Sequence, residues 1–311
     1  MSKFHPRNKH QSSYDFEQLL ADTPELEPYL ILNPKGTQTI NFHDPLAVKT
    51  LNKALLKTFY QIEKWDIPDG YLCPPVPGRA DYIHHLADVL AAENGNKIPK
   101  GKNIKCLDVG VGANCIYPII GSRAYGWHFI GADIDERAIE VAKNTVSENL
   151  NLKNKIEIRF QPNENQFFKG ILKSDERVDL TICNPPFHTS LREAEKGTAR
   201  KIRNLKLGQK SNKIIQNFGG KSHELRYKGG ERKFIESMIR ESKEFATNCL
   251  WFSTLVSKKE NLKPIEGIFE KIGIAQRKTI ELAHGNKISR AVVWTFLSKK
   301  QRDIWRQLRW N

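Results

Sequence analysis

Short apolar runs alternate with amphipathic segments from residue 103 onwards, as expected for a buried, mostly parallel β-sheet with helices on both faces. The helical spacing is clearest over Glu136–Asn149 and Glu231–Glu244. The pattern predicts seven strands, at Ile104–Val109, His128–Asp133, Lys155–Phe160, Val178–Cys183, Cys249–Leu255, Arg277–Leu282 and Ala291–Leu297.

The connection between the last two predicted strands determines their direction. Only eight residues, Ala283 to Arg290, lie between them, which is too short for a crossover helix, so the pair should be an antiparallel hairpin. A doubly wound sheet that ends in such a hairpin is typical of Rossmann-like methyltransferases and unusual in dinucleotide dehydrogenases. The pattern therefore predicts an α/β fold with a seven-stranded sheet of the class I methyltransferase type.

A smaller, mainly helical unit precedes the sheet. Asp44 and Pro45 have the residue types of a helix N-cap and first turn, and a leucine-rich stripe follows them. The run Cys73–Arg79 is rich in proline and is predicted to be non-helical, and it leads into an amphipathic helix over Ala80–Glu93. The predicted division is an N-terminal helical unit (1–95), the sheet domain (96–298) with a basic loop at about 190–230, and a basic tail (299–311).

Composition is that of a globular protein. Of the 311 residues, 39% are hydrophobic and 27% are charged, which supplies a core and excludes wholesale disorder. No apolar run is long enough to span a membrane, and the first thirty residues lack the apolar core of a signal peptide, so we expect a cytoplasmic protein. The five cysteines include no C-x-x-C pair, which predicts reduced, mostly buried thiols and no metal site.

The net charge of +15 is concentrated in three segments: residues 1–11 carry +3, residues 200–228 carry +8 and residues 299–311 carry +4. Such clusters suit a polyanion, and neighbouring rings such as Trp305 and Trp310 could stack on unpaired bases. Nucleic acid is the expected partner; an acidic membrane surface is the alternative, but none of the segments shows an amphipathic helical stripe. The residues predicted to bind the nucleic acid are Lys3, Arg7, Lys9, Arg200, Lys201, Arg203, Lys206, Lys210 and Lys213.

Two motifs at predicted strand ends indicate an adenosine-type ligand. Asp-Val-Gly-Val-Gly at 108–112 joins a strand to a tight turn, where glycine lets a ligand approach the backbone. The dinucleotide fingerprint requires Gly or Ala where Cys115 stands, so pyrophosphate binding is disfavoured. Asp133 ends the next strand and can accept both hydroxyls of a ribose, from either NAD or S-adenosylmethionine. Asp135 is expected to cap the following helix.

A third motif, Asn184-Pro185-Pro186-Phe187 after the fourth strand, distinguishes between NAD and S-adenosylmethionine as the ligand. Ligands bind at the carboxyl edge of an open α/β sheet, so this loop lies where a substrate enters. The Asn184 side-chain oxygen and the Pro185 carbonyl can accept both hydrogens of an exocyclic amine, which points the nitrogen lone pair at a sulfonium methyl group. Phe187 can stack on the base, and the two prolines keep the loop rigid. The target base must be unpaired or flipped out to reach this loop.

These motifs resemble a known family in their types and order. The Asn-Pro-Pro-Phe and Asp-x-Gly-x-Gly patterns are similar to those of amino-methylating, S-adenosylmethionine-dependent methyltransferases. Over about residues 4–297 the chain resembles the bacterial ribosomal RNA large subunit methyltransferase F family and its eukaryotic relative, methyltransferase-like protein sixteen. The resemblance rests on His5-Pro6-Arg7-Asn8, Asn41-Phe42-x-Asp44-Pro45-x-Ala47-Val48, Tyr82-Ile83-His84, Gly112-Ala113-x-Cys115-Ile116-Tyr117-Pro118 and Gly229-Gly230-Glu231.

The resemblance implies methyl transfer from S-adenosylmethionine to N6 of one adenine of 23S rRNA, at the position numbered 1618 in the bacterial family. The substrate would be 23S rRNA or a large-subunit assembly intermediate, bound by the N-terminal unit and the basic loop, and we expect a monomer. Asn114 and Asn165 depart from the eukaryotic relative, which has serine and threonine there. The implied cofactor site, in which Arg79 reaches the methionine carboxylate, comprises Arg79, Asp108, Gly110, Gly112, Asn114, Asp133, Asn165 and Asn184.

Three alternatives stay open from the residues alone. A protein-glutamine methyltransferase uses a similar Asn-Pro-Pro motif, but its last residue is normally Tyr, and basic clusters have little purpose on a protein substrate. A DNA adenine methyltransferase shares the same chemistry. A non-catalytic RNA-binding ribosome assembly factor could retain the fold, although intact Asp133 and Asn184 argue against a dead site.

Overall fold

The structure is a computed structural model that describes residues 4–186, 227–284 and 287–310. Its strands are β1 (Leu30–Leu32), β2 (Gln38–Ile40), β3 (Lys105–Val109), β4 (His128–Asp133), β5 (Ile156–Phe160), β6 (Val178–Cys183), β7 (Cys249–Val256), β8 (Gln276–His284) and β9 (Lys287–Thr295). Its α-helices are α1 (Phe16–Asp22), α2 (Pro45–Tyr60), α3 (Val76–Glu93), α4 (Ile116–Tyr125), α5 (Glu136–Glu148), α6 (Gly230–Ser242), α7 (Leu262–Ile272) and α8 (Lys299–Arg309).

Seven of these strands form one sheet in the order β5-β4-β3-β6-β7-β9-β8, and β1 and β2 form a separate antiparallel pair. Strands β5, β4, β3, β6 and β7 run parallel, whereas β9 runs antiparallel to both of its neighbours. The central strand β6 is buried at every position, including the polar residues Asp179 and Thr181. The doubly wound sheet with an antiparallel hairpin is confirmed.

The connection of that hairpin is shorter than predicted. β8 continues to His284 and β9 begins at Lys287, so two residues rather than eight separate the strands. β8 is the edge strand of the sheet, and its side chains alternate between exposed and partly buried along most of its length. The residues missed at the start of β9 are mostly polar, and Arg290 among them is buried, so no apolar run marks that part of the hairpin.

Helix α3 begins at Val76, inside the run that was predicted to be non-helical, so that prediction was wrong. Pro75 is the N-cap residue, Pro77 lies in the first turn, and the Arg79 N–H donates to the Pro75 carbonyl at 3.2 Å. Proline is tolerated there because the N–H groups of a first turn have no acceptor within the helix.

The N-caps predicted for two other helices are confirmed. Asp44 Oδ1 accepts the Leu46 N–H at 2.9 Å, and Asp135 Oδ1 accepts the Arg137 N–H at 2.9 Å. Each carboxylate satisfies a backbone donor that has no partner within its helix.

The sheet separates two apolar cores, because successive side chains of a strand point to opposite faces. Cys106 belongs to the core shared with α3, α4, α5 and the N-terminal helices, whereas Leu107 belongs to the core shared with α6 and α7. The N-terminal unit therefore packs into the same core as one face of the sheet. The division at residue 95 stays a prediction.

The five cysteines are buried and free, as expected, and none of the described helices has the length and apolarity to cross a bilayer.

The basic tail contains helix α8, which a buried carboxylate attaches to the sheet. Asp179 in β6 is fully buried and accepts the indole N–H groups of Trp305 and Trp310 at 2.7 and 2.8 Å. Arg309 forms an ion pair with the same carboxylate at 3.2 Å. The prediction that these rings stack on bases is wrong for Trp305, which is only 9% exposed, and both indole N–H groups serve the fold.

The N-terminal segment packs on α3 and engages two of the predicted nucleic-acid ligands. Arg7 donates to Asp88 at 2.6 Å and to the Tyr125 hydroxyl at 3.0 Å, and Lys9 donates to the Phe59 carbonyl at 3.1 Å. Their part in nucleic-acid binding stays a prediction. The remaining predicted ligands lie outside the described residues; they are Lys3, Arg200, Lys201, Arg203, Lys206, Lys210 and Lys213.

We predict that His10 makes the fold less stable as the pH falls from 6.5 to 4. Burial lowers the pKa of His10 from 6.5 to about 4, and its Nε2 lies 3.2 Å from the Tyr60 hydroxyl. The unfolded chain therefore takes up a proton near pH 6.5, whereas the folded chain does so only near pH 4, and acidification within this window favours unfolding. Urea unfolding of the native chain should show a steeper loss of free energy with falling pH than that of His10→Gln; equal slopes would contradict the prediction.

Candidate active site

A cleft of about 690 Å³ opens at the carboxyl edge of the parallel strands. In the sheet register Val109 of β3 pairs with Ala132 of β4 and with Cys183 of β6. The residues that directly follow these three therefore lie at the same level of the sheet, at its carboxyl edge. The residues at those three positions are Gly110, Asp133 and Asn184, and all of them line the cleft. Of the residues predicted for the site, those that line the cleft are Arg79, Gly110, Gly112, Asn114, Asp133, Asn165, Asn184 and Pro186.

The glycine turn lies against the end of β4. Gly110 and Gly112 have φ values of +79° and +61°, in the left-handed region that favours glycine. The N–H groups of Gly110 and Val111 both donate to the Ala132 carbonyl, at 2.8 and 2.9 Å. The turn therefore has a fixed position relative to the carboxylate that follows Ala132.

That carboxylate, Asp133, is held by two backbone donors. Its Oδ2 accepts the Gly112 N–H at 2.8 Å and its Oδ1 accepts the Asp135 N–H at 3.0 Å. A carboxylate oxygen can accept about two hydrogen bonds, so a backbone donor does not by itself prevent it from binding a ligand hydroxyl. Asp133 is thus oriented to bind two neighbouring hydroxyls, as a ribose presents them.

Asp108 lies beneath the cleft and does not line it. Its carboxyl group is fully buried, and neither oxygen has a hydrogen-bond partner among the described residues. Burial raises the pKa of Asp108 well above its usual range; the negative charge of Asp133 adds to this effect and the positive charge of Arg79 opposes it. A buried carboxyl group without a partner is costly to the fold, which indicates a role outside folding.

Arg79 enters the cleft from the first turn of α3. Its Nη1 donates to the Tyr117 hydroxyl at 2.8 Å, and its guanidinium lies 5.6 Å from the centre of the Tyr117 ring. These contacts use one donor of five, so the side chain can still bind an anionic group. The Arg79 cation thus lies at the same cleft as the Asp133 carboxylate, with Asp108 buried beneath them.

Asn184 follows the buried strand β6 and presents an unused acceptor. Its Oδ1 is buried and has no hydrogen-bond partner among the described residues. Pro185 is buried without lining the cleft, Pro186 lines it, and Phe187 lies outside the described residues. The loop therefore offers a rigid acceptor at the same cleft as the Asp133 carboxylate.

The segment Ile62–Arg79, here called the strap, forms a wall that the sequence analysis missed except for Arg79. Its residues Leu72 and Pro74 line the cleft. Asn114 joins the strap to the glycine turn, because its carbonyl accepts the Trp65 indole N–H at 2.8 Å and its Nδ2 donates to the Leu72 carbonyl at 3.4 Å. No periodicity or motif marks the strap as part of a binding site.

The opposite wall comes from the loop after β5 and the start of α6. Asn165 and Phe167 line the cleft there, and the Phe234 ring packs edge-on against Phe167 and Tyr227 at centroid distances of 4.8 and 5.1 Å. Gln161, which directly follows β5, also lines the cleft. The rule that ligands bind at carboxyl strand ends could have identified Gln161 from the sequence.

This fold and cleft define a Rossmann-like methyltransferase. A family profile described as RNA methyltransferase matches residues 1–298. The chain is 50% identical over 311 residues to the ribosomal RNA large subunit methyltransferase F of Pseudomonas aeruginosa (strain LESB58), a match that covers all of this chain and 93% of that protein. It is 52% identical over 309 residues to the protein of the same name from Yersinia pseudotuberculosis serotype O:1b (strain IP 31758), covering 99% and 92%. The chain belongs to the ribosomal RNA large subunit methyltransferase F family.

Solved structures of a human protein share the fold. The hMettl16 catalytic domain in complex with MAT2A 3′UTR hairpin 1 is 27% identical, with a TM-score of 0.79 and coverage of 95% of this chain and 96% of that one. The N-terminal domain of human METTL16 in complex with SAH is 26% identical, with a TM-score of 0.74 and coverage of 96% and 100%. The resemblance found in the sequence is confirmed.

We predict that Asp108→Asn becomes more stable relative to the native chain as the pH rises. The raised pKa means that the folded native chain keeps a proton that the unfolded chain loses near pH 3.8, so this contribution to stability is lost as the pH rises through the folded-state pKa. Asparagine does not titrate, so the stability of the variant does not fall with pH for this reason.

The measurement is urea unfolding of both chains from pH 4 upwards, with the fully exposed Asp69→Asn as the matched control. If the difference in free energy of unfolding between Asp108→Asn and the native chain stays constant with pH, the carboxyl group is already ionised in the folded protein.

Proposed function

We propose that this methyltransferase transfers a methyl group to N6 of a single adenine in 23S rRNA, the position numbered 1618 in its bacterial family. The observation that carries the proposal is the buried Asn184 Oδ1, which has no partner among the described residues and belongs to a residue lining the same cleft as Asp133. An unused buried acceptor at a rigid loop suits a substrate that brings an N–H donor.

S-adenosylmethionine is the cofactor, and it supplies an electrophilic methyl group when bound. Its ribose hydroxyls suit the fixed carboxylate of Asp133. Its methionine carboxylate suits the Arg79 guanidinium, and its ammonium group suits the buried Asp108 carboxyl, which has no partner among the described residues. The Arg79 guanidinium thus has a charge opposite to that of the methionine carboxylate, and the Asp108 carboxyl can accept a hydrogen bond from the ammonium group.

The chain's own contribution to the reaction is orientation. An adenine amine is a poor nucleophile because its lone pair is delocalised into the ring. Asn184 Oδ1 and the Pro185 carbonyl accept its two hydrogens, so that the lone pair is localised and directed at the methyl group; Phe187, outside the described residues, keeps its predicted role of stacking on the base. No strong general base is needed, because the amine proton becomes acidic once the methyl group has been transferred and then passes to solvent.

A second cleft supports RNA as the substrate. It has a volume of about 570 Å³ and shares Asn165, Tyr227 and Lys228 with the first cleft, so the two are continuous. Its cations Lys228 and Lys233 are exposed, as is Arg232, which is paired with Glu236 at 2.8 Å. Exposed cations beside an active site suit the phosphates that flank a flipped nucleotide.

The names of the relatives favour ribosomal RNA over the protein-glutamine and DNA alternatives, and a cleft lined by both Asp133 and Asn184 favours catalysis over a purely structural role in ribosome assembly. The enzyme would act as a monomer in the cytoplasm, on 23S rRNA or on a large-subunit assembly intermediate.

We predict that Asn184→Ala lowers the rate of methyl transfer by about 100-fold or more, the usual effect of removing one positioned group at a reacting centre. S-adenosylhomocysteine affinity should fall much less. The assay is transfer of labelled methyl to rRNA from cells that lack the gene, followed by nucleoside digestion and mass spectrometry.

The matched control is Asn144→Ala, at an exposed position of α5. Undiminished N6-methyladenosine with Asn184→Ala would exclude the role of Asn184. Absence of label on naked rRNA, assembly intermediates and intact subunits would exclude the rRNA assignment.

We predict that the double variant Lys228→Glu/Lys233→Glu binds RNA more weakly, and that the loss of affinity is similar for RNAs of different nucleotide sequence. The salt dependence of binding should become shallower by about one unit for each lost phosphate contact. S-adenosylhomocysteine affinity should change far less than RNA affinity, because Lys233 lines only the second cleft. The control is Lys153→Glu. Lys153 is exposed in the turn before β5, at the amino ends of the parallel strands, whereas the second cleft lies at their carboxyl ends. An RNA affinity and salt slope equal to those of the control would exclude the second cleft as a phosphate site.

A further inference from the structure

In addition to the Arg79–Tyr117 contact described above, hydrogen bonds attach the strap to the sheet domain at three places. Besides the contacts at Asn114, the N–H groups of Glu63 and Lys64 donate to Asn149 Oδ1 at 2.8 and 3.2 Å, and Asn149 Nδ2 donates back to the Lys64 carbonyl at 2.7 Å. The third attachment is Tyr71. The strap is therefore held on both sides of Tyr71, by residues 63–65 before it and by Leu72 after it.

Tyr71 is buried, with 3% of its surface exposed, and its hydroxyl donates to Asp135 Oδ2 at 2.7 Å. The other oxygen of that carboxylate accepts the Arg137 N–H and caps α5. The Asp135 side chain is thus shared between the helix and the strap, and its orientation depends on both donors.

Asp135 in turn contacts the ribose acceptor proposed above, since its backbone N–H donates to Asp133 Oδ1 at 3.0 Å. A chain of two hydrogen bonds therefore links the Tyr71 hydroxyl to the Asp133 carboxylate. Loss of the first bond leaves the Asp135 side chain with one restraint fewer, because only its other oxygen is still held by the Arg137 N–H, and it loosens the turn that supplies the second bond.

We propose that Tyr71 is a positioning residue for the cofactor, which acts through Asp135 to align Asp133 with the ribose hydroxyls. The proposal rests on the ribose role of Asp133 proposed above. It gives the N-terminal unit a function in cofactor affinity, separate from any contact with RNA. A phenol suits this task because its rigid ring fixes the hydroxyl in the buried interface, and phenylalanine removes only the hydroxyl.

The test compares Tyr71→Phe with the native chain and with Tyr29→Phe, a partly buried tyrosine of the same unit that contacts no part of the cleft. Calorimetry measures the Kd of S-adenosylhomocysteine and of its analogue that lacks both ribose hydroxyls. We expect Tyr71→Phe to weaken S-adenosylhomocysteine about tenfold, comparable to loss of one hydrogen bond to a charged group, and to weaken the analogue hardly at all. Tyr29→Phe should match the native chain for both ligands.

The ratio of the two Kd values does not depend on the fraction of folded protein, so it separates positioning from a loss of stability. If the native chain fails to distinguish the two ligands, the ribose role of Asp133 fails and the inference falls with it. If the native chain distinguishes them and Tyr71→Phe distinguishes them equally well, the inference alone is overturned.

Discussion

Parallel pairing of β3 with β4 and β6 is the constraint on which the active site depends. The register places Val109 level with Ala132 and Cys183, so Gly110, Asp133 and Asn184 emerge together although up to 74 residues of sequence separate them. A shift of one residue in either pairing would turn the following side chain to the other face of the sheet. The buried apolar strands therefore fix the position of the polar residues that follow them.

The site also depends on groups that the fold leaves unsatisfied. Asp108 has no hydrogen-bond partner among the described residues, and neither does Asn184 Oδ1, although both are buried. Each such group costs the fold free energy of about 1 to 3 kcal/mol. A bound cofactor and substrate would form hydrogen bonds with these groups. Binding would thereby remove the free-energy cost of leaving them without partners. This arrangement relates the stability of the protein to its proposed reaction.

The sequence predicted the sheet well, because its buried parallel strands are short, mostly apolar runs and because Gly110, Asp133 and Asn184 stand at their ends. It failed where the signal lay in tertiary contacts. The strap has no periodicity, so its place at the cleft depends on hydrogen bonds over long sequence separations, such as Trp65 to Asn114. Trp305 looked like an exposed ring beside basic residues, but the buried carboxylate of Asp179 that binds it is visible only in the fold.

The central claim is that Asn184 Oδ1 accepts a hydrogen from the target amine. Its most direct test is a structure of the protein with S-adenosylhomocysteine and an RNA fragment that contains an unpaired target adenosine. The account predicts N6 of that adenine at about 2.9 Å from Asn184 Oδ1, with the ribose of the cofactor on Asp133. An adenine bound elsewhere, or an Asn184 Oδ1 occupied by another group of the protein in that complex, would contradict the account.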